Sequence, residues 1–189
     1  MKKFFALLLA GLLCLSMVAC GEQETESETN GNNTNETIEE SETETEAEVD
    51  LSTLTSGQAL LHIFKTNLKN DPDMTLEEIA NAMVSAEVMP AEMSVMAMPV
   101  EEGFLMGFNE EIHGFEEAHV IAPMIGTIPF MSYVFQLADG ADVNAFMADL
   151  EAKSNMRWNL CTFAEETVVG NVDNTVYFVM CKSNVNAAE

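Results

Sequence analysis

Between Gly57 and Asn70 the apolar residues Leu60, Leu61, Phe64 and Leu68 recur at helical spacing, and Ser56 is placed to cap the start. Asn70-Asp71-Pro72-Asp73 then breaks the pattern. Thr75 and Glu78 have the spacing of a capping box, and Leu76, Ile79, Ala80 and Met83 supply the stripe of a second helix. Further on, short runs of alternating or β-branched residues predict strands at Ser94–Met98, Phe104–Phe108, Val120–Ala122 and Phe130–Leu137. A third helix is expected over Asp142–Lys153, with Val143, Phe146, Met147 and Leu150 on one face. Glu165–Asn171 and Thr175–Cys181 read as a closing hairpin, and Val176-Tyr177-Phe178-Val179 suits a central strand.

Two helices, several strands, one helix and a hairpin imply an α+β fold. The expectation is a largely antiparallel sheet with about three helices packed on one face, and the order after residue 130 fits part of a ferredoxin-like layout. The segment Pro123–Pro129 is apolar but punctuated like a loop, which disfavours a continuous central strand there.

The first 50 residues follow a different logic. Lys2 and Lys3 precede an apolar run of 16 residues, Phe4 to Ala19, that is shorter than the roughly 20 a spanning helix needs. A cationic start, an apolar stretch and small residues form the plan of a secretory signal. The ending Met17-Val18-Ala19-Cys20 resembles a bacterial lipobox, with Met17 standing where the family usually has Leu. That resemblance implies cleavage before Cys20 and a diacylglycerol on its thiol. It also implies a lipid-anchored protein on the extracytoplasmic face of the cell membrane; a Gram-positive setting is the expectation that goes with the second resemblance given below. Each buried CH₂ of such a lipid contributes about 0.8 kcal/mol, so a diacyl anchor holds more firmly than one short chain.

Residues 21–50 carry 12 acidic residues, no basic residue and no aromatic. A chain of this kind cannot bury enough apolar surface to offset its ordering entropy, and its like charges extend it. The expected organisation is therefore a signal peptide at 1–19, a lipidated cysteine with an acidic tether at 20–50, and one domain at 51–189. The domain keeps 20 acidic residues against Lys65, Lys69, Lys153, Arg157 and Lys182, a net charge of about −15. No basic cluster stands out along the chain, which makes nucleic acid and anionic headgroups poor partners and leaves cationic ligands or basic proteins tolerated.

Candidate chemistry is sparse. Once Cys14 leaves with the signal and Cys20 is lipidated, Cys161 and Cys181 remain, either as a disulfide closing a loop of about 20 residues or as two thiols. Met89, Met93, Met96 and Met98 suit core packing, with soft copper ligation as the sharper alternative. His113, Glu116, Glu117 and His119 could supply metal ligands but lack the spacing of an HExxH helix, so a solvated loop is the expectation, and Asp139 and Asp142 flank a helix start as caps would, with calcium the alternative. No nucleophile elbow, P-loop or dinucleotide fingerprint is present, so no catalytic residue, metal or cofactor is assigned.

The remaining candidate is a surface: Met124, Ile125 and Ile128 in the punctuated loop, with Arg157 and the only tryptophan, Trp158. Arginine and tryptophan are frequent interface anchors. At PFMSYVFQLADGADVNAF and RWNLCTFAEE the chain resembles a family of short Gram-positive lipoproteins without an assigned activity. That resemblance covers about residues 115–182 and implies a shared fold and location only. The functional expectation is a tethered module that binds an envelope protein or a small ligand. An envelope hydrolase using Cys161 or paired acids such as Glu165-Glu166 is the alternative, and methionine-based copper handling a weaker one.

Overall fold

Thr55 accepts a hydrogen bond from the backbone N–H of Gln58, and the Gln58 side-chain oxygen accepts one from the Thr55 N–H. This reciprocal cap starts helix α1, Ser56–Asn70, so Thr55 rather than Ser56 is its cap. Ser56 is buried instead. Its N–H donates to the Ser183 carbonyl and its Oγ accepts from the Val185 N–H, partners about 130 residues away that local spacing cannot reveal. The structure, a computed structural model, describes residues 49–90, 93–125, 128–159 and 161–185. The signal, Cys20 and nearly all of the acidic tether lie outside the described residues.

Thr75 and Glu78 form the expected capping box at the start of α2, Leu76–Val84. Helix α3, Val143–Lys153, begins where Asp142 accepts from the Ala145 N–H. The strands are β1 Val95–Val100, β2 Glu117–Pro123, β3 Met131–Gln136, β4 Glu166–Val172 and β5 Thr175–Cys181. All neighbours pair antiparallel in the order β1-β2-β3-β5-β4, which with the three helices gives an α+β fold. Since β5 is antiparallel to both β3 and β4, those two run parallel to each other and are joined through α3. This is a split β–α–β unit, the local piece of a ferredoxin-like layout, while β1-β2-β3 is a plain meander.

The helices do not share one face. Leu60, Phe64, Ile79 and Met83 of α1 and α2 pack with Ile121, Val134, Tyr177 and Val179. Phe146 and Leu150 of α3 pack with Val120, Tyr133, Phe135 and Phe178 on the other side. The physical reason lies in β3 and β5. Successive side chains point to opposite faces, and in β5 every residue from Val176 to Cys181 is buried. A strand apolar on both sides needs cover on both sides.

The other correction concerns Phe104–Phe108, which is not a strand. Gly107 adopts φ +92, which breaks an extended run, and the segment crosses the α3 face of the sheet. There it buries Leu105 and Phe108, while the Met106 carbonyl accepts from the Tyr133 hydroxyl at 2.7 Å. Glu102 secures the next turn by accepting from the Gly114 and Phe115 N–H groups.

His113 clasps this loop from outside. Its two ring nitrogens face Glu111 at 3.0 Å and Glu102 at 3.4 Å. The hydrogen bond with Glu111, then that with Glu102, raise the His113 pKa above the ordinary 6.5. The Gly114 N–H, then His113, hold the Glu102 carboxyl below 4.5. The linkage signs follow from these directions. The histidine contribution is complete below about pH 6.5 and fades as pH rises through the raised value; the Glu102 contribution is lost as pH falls through its lowered value. The clasp therefore holds best in mildly acidic solution. NMR titration of the His113 ring should give a pKa above 6.5 that falls in Glu111→Gln; an unchanged value in the variant would remove this assignment.

Candidate functional site

One end of the sheet gathers most of the surface flagged by the sequence. The strand register places the start of β1, the end of β2, the start of β3, the end of β5 and the start of β4 at this end. The chain also enters the domain here, because Gly57 at the head of α1 donates to Glu166 Oε1 at 2.7 Å. A short 3-10 turn, Leu51–Thr53, precedes it and is capped by Asp50. Together Leu51, Leu54, Val88 and Asn184 help line an open cleft of about 760 Å³.

The loop after β2 presents Met124 and Ile125, which are 68% and 69% exposed, and Met124 is tied by its N–H to the Ser94 carbonyl. Ile128 behaves differently. It is half-buried against the core beneath α1 and α2. Trp158 is half-buried too, but against the opposite core, beside α3. The two segments thus reach one end of the sheet without forming one groove, and Trp158 serves the core more than the surface.

The aromatic that faces outward is Phe163, a residue that sequence reasoning passed over. The Arg157 guanidinium lies 4.9 Å from its ring centroid and the Lys182 ammonium 4.8 Å. Two of the domain's five cations therefore converge on one partly exposed ring. The signal was available in the scarcity of cations, but only the fold brings Lys182 beside Arg157. Arg157 also helps line a groove of about 530 Å³ with Asn155, Met156, Phe163 and Glu165.

The acids at this end are largely engaged. Glu165 accepts from Ser183 and pairs with Lys182 at 3.1 Å; the Ser183 hydroxyl, then Lys182, lower its pKa. Glu166 turns inward to Gly57 and lies 3.5 Å from Cys181 Sγ. No carboxylate pairs with Arg157 among the described residues.

Cys161 and Cys181 are free thiols here, one exposed and one buried, the second of the two states that the sequence leaves open. Cys181 ends β5 inside the core under α1 and α2, whereas Cys161 lies in the loop between Arg157 and Phe163. Burial, then the charge of Glu166, push the Cys181 thiol pKa far up. A thiol reagent should titrate Cys161 rapidly in the folded domain and Cys181 only on unfolding. Fast reaction of both thiols, or of neither, would contradict this placement.

The other candidates take ordinary roles or separate. Met93 is buried in the core, while Met96 and Met98 share one face of edge strand β1 and are 38% and 40% exposed. Asp142 caps α3, and Asp139 accepts from Asn174. His119 is buried on β2 with Nδ1 3.9 Å from Glu117, and His113 belongs to the loop clasp. Among the described residues no group of three or more His, Cys, Asp or Glu side chains converges on a metal-sized point. Likewise no described helix is long and apolar enough to cross a membrane.

Comparison with protein-family models, with curated proteins and with solved structures returned no match.

Proposed function

We propose that this chain is a lipid-anchored extracytoplasmic binding module, held by Cys20 and working through the end of the sheet at which the chain enters the domain. The anchor rests on the lipobox-like ending at Cys20 and on the acidic stretch that follows it. One observation carries the binding surface: Arg157 and Lys182 converge on exposed Phe163 at the same end as exposed Met124 and Ile125. Exposed apolar side chains rimmed by scarce cations make a recognition surface, since most of the domain's remaining surface charge is acidic.

The test is site-specific photocrosslinking in the producing cell. The photoreactive residue p-benzoylphenylalanine replaces Phe163 in one strain and Asp139, at the opposite end, in another. Adducts at 163 and none at 139 are the expected result. Equal adducts at both positions, or none at 163, would remove this end as the binding surface.

A further inference from the structure

The five cations of the domain are gathered on one half of the sheet. Lys65 and Lys69 of α1 and Lys153 of α3 belong to helices that lie chiefly over β4 and β5, and Arg157 and Lys182 follow α3 and β5. Residues 70–136, which build α2, β1, β2 and β3, carry 12 acidic residues and no lysine or arginine. Even with His113 charged, this half stays strongly acidic. Its outermost strand is β1.

The edge of β1 is open. The Ser94 carbonyl accepts from the Met124 N–H, and the register continues from that pair to Met96 with Ala122 and Met98 with Val120. Opposed residues in an antiparallel ladder alternate between exchanging both hydrogen bonds and exchanging none. Val95, Ala97 and Pro99 therefore turn their backbone groups away from β2, and among the described residues no strand meets them. Pro99 stands where its missing N–H costs the sheet nothing. The N–H groups of Val95 and Ala97 and the carbonyls of all three remain as a free ladder. Edge strands are commonly blunted by lysine, yet residues 93–100 carry no charge at all. Met96 and Met98 are partly exposed on the α3 side of β1. Met98 shares a row there with Val120 and Tyr133, whose hydroxyl holds the Met106 carbonyl in the segment that exposes Phe104 and Met106.

From this placement we infer that β1 receives an extended, basic peptide segment of a partner protein as an additional strand. Backbone hydrogen bonds to Val95, Ala97 and Pro99 hold it, and its alternate apolar side chains lie beside Met96 and Met98. Its lysines or arginines meet Glu101 and Glu117, which stand together where β1 ends and β2 begins. Charge selects the occupant. The chain's own acidic segment, residues 21–50, is repelled from this edge, and a second copy would bring two acidic halves together. A cationic strand is attracted. This edge is separate from the surface around Phe163 and does not depend on the lipid anchor, so either reading can fail alone.

The probe is a short peptide of alternating valine and threonine with lysine pairs at both ends, titrated by fluorescence anisotropy against the chain from Gly21 onward. A second peptide, N-methylated at the residues whose N–H groups would face β1, keeps the same charge and so reports any pairing with the acidic segment 21–50. The first peptide should bind about tenfold or more tightly than the second, as the loss of two or more hydrogen bonds requires. It should also slow hydrogen exchange at the Val95 and Ala97 amides. Ala97→Pro should remove the difference between the peptides, because it deletes an outward N–H and leaves the bonds to β2 in place. Glu101→Lys should weaken binding about threefold or more, while Glu151→Lys on α3 leaves it unchanged. Thermal unfolding will show that the variants fold; if Ala97→Pro does not, Glu101→Lys and the exchange measurement decide. Equal binding of the two peptides, equal binding of a peptide with glutamate in place of lysine, or unprotected Val95 and Ala97 amides would overturn the inference.

Discussion

Phe178→Ala should destabilise the domain by about 3–5 kcal/mol, a large part of the 5–15 kcal/mol that ordinary domains possess. Phe178 is fully buried on β5, between β3 and β4, and its ring lies 5.0 Å from that of Phe108. Deleting the ring removes its transfer energy, leaves a cavity roofed by the 104–108 segment, and ends an aromatic contact. The surface aromatic offers the contrast. Phe163→Ala should cost under about 1 kcal/mol, since the ring is 44% exposed. Urea unfolding followed by the fluorescence of Trp158, the only tryptophan, will measure both changes. Equal losses would mean that the α3 face is not a packed core.

Gly107→Ala should cost about 2–5 kcal/mol through two separable effects. Its φ of +92 strains any side chain, and an added Cβ would sit 2.6 Å from Met180 Cε and 3.0 Å from Met131 Sδ. Both methionines are buried, so neither has free space into which to retreat. Gly103→Ala isolates the first effect, because Gly103 also has positive φ but nothing within 4 Å of its new Cβ. That variant should lose only about 1 kcal/mol. If the two alanines cost the same, the loop does not press on the Met131–Met180 pair.

Local signals in this sequence were readable where local physics decides the outcome. The Thr75–Glu78 box, the Asp142 cap and the β-branched run of β5 each act within a few residues, and each stands where its pattern placed it. What escaped depends on distant partners. Ser56 looks like a cap until Ser183 and Val185 are brought to it. Phe104–Phe108 alternates like a strand, yet Gly107 turns it across the sheet. The face that α3 covers is not in its own sequence, because its stripe says only that it packs, not against which side.

The candidate surface was legible in part for the same reason. Met124, Ile125 and Arg157 were visible as an apolar loop and a scarce cation. Phe163 gained meaning only when Lys182 arrived from the end of β5. Trp158 drew notice by its chemistry, and packing then claimed it for the core.

The central claim is that Cys20 carries the lipid that holds this domain at the membrane. The most direct measurement is the mass of the N-terminal peptide of the mature protein purified from its membrane fraction. A peptide that begins at Cys20 and carries a diacylglycerol on the thiol is the predicted result, with Cys20→Ser abolishing it and releasing the chain from the membrane. A mature chain that retains residues before Cys20, or begins there with an unmodified thiol, would contradict the account.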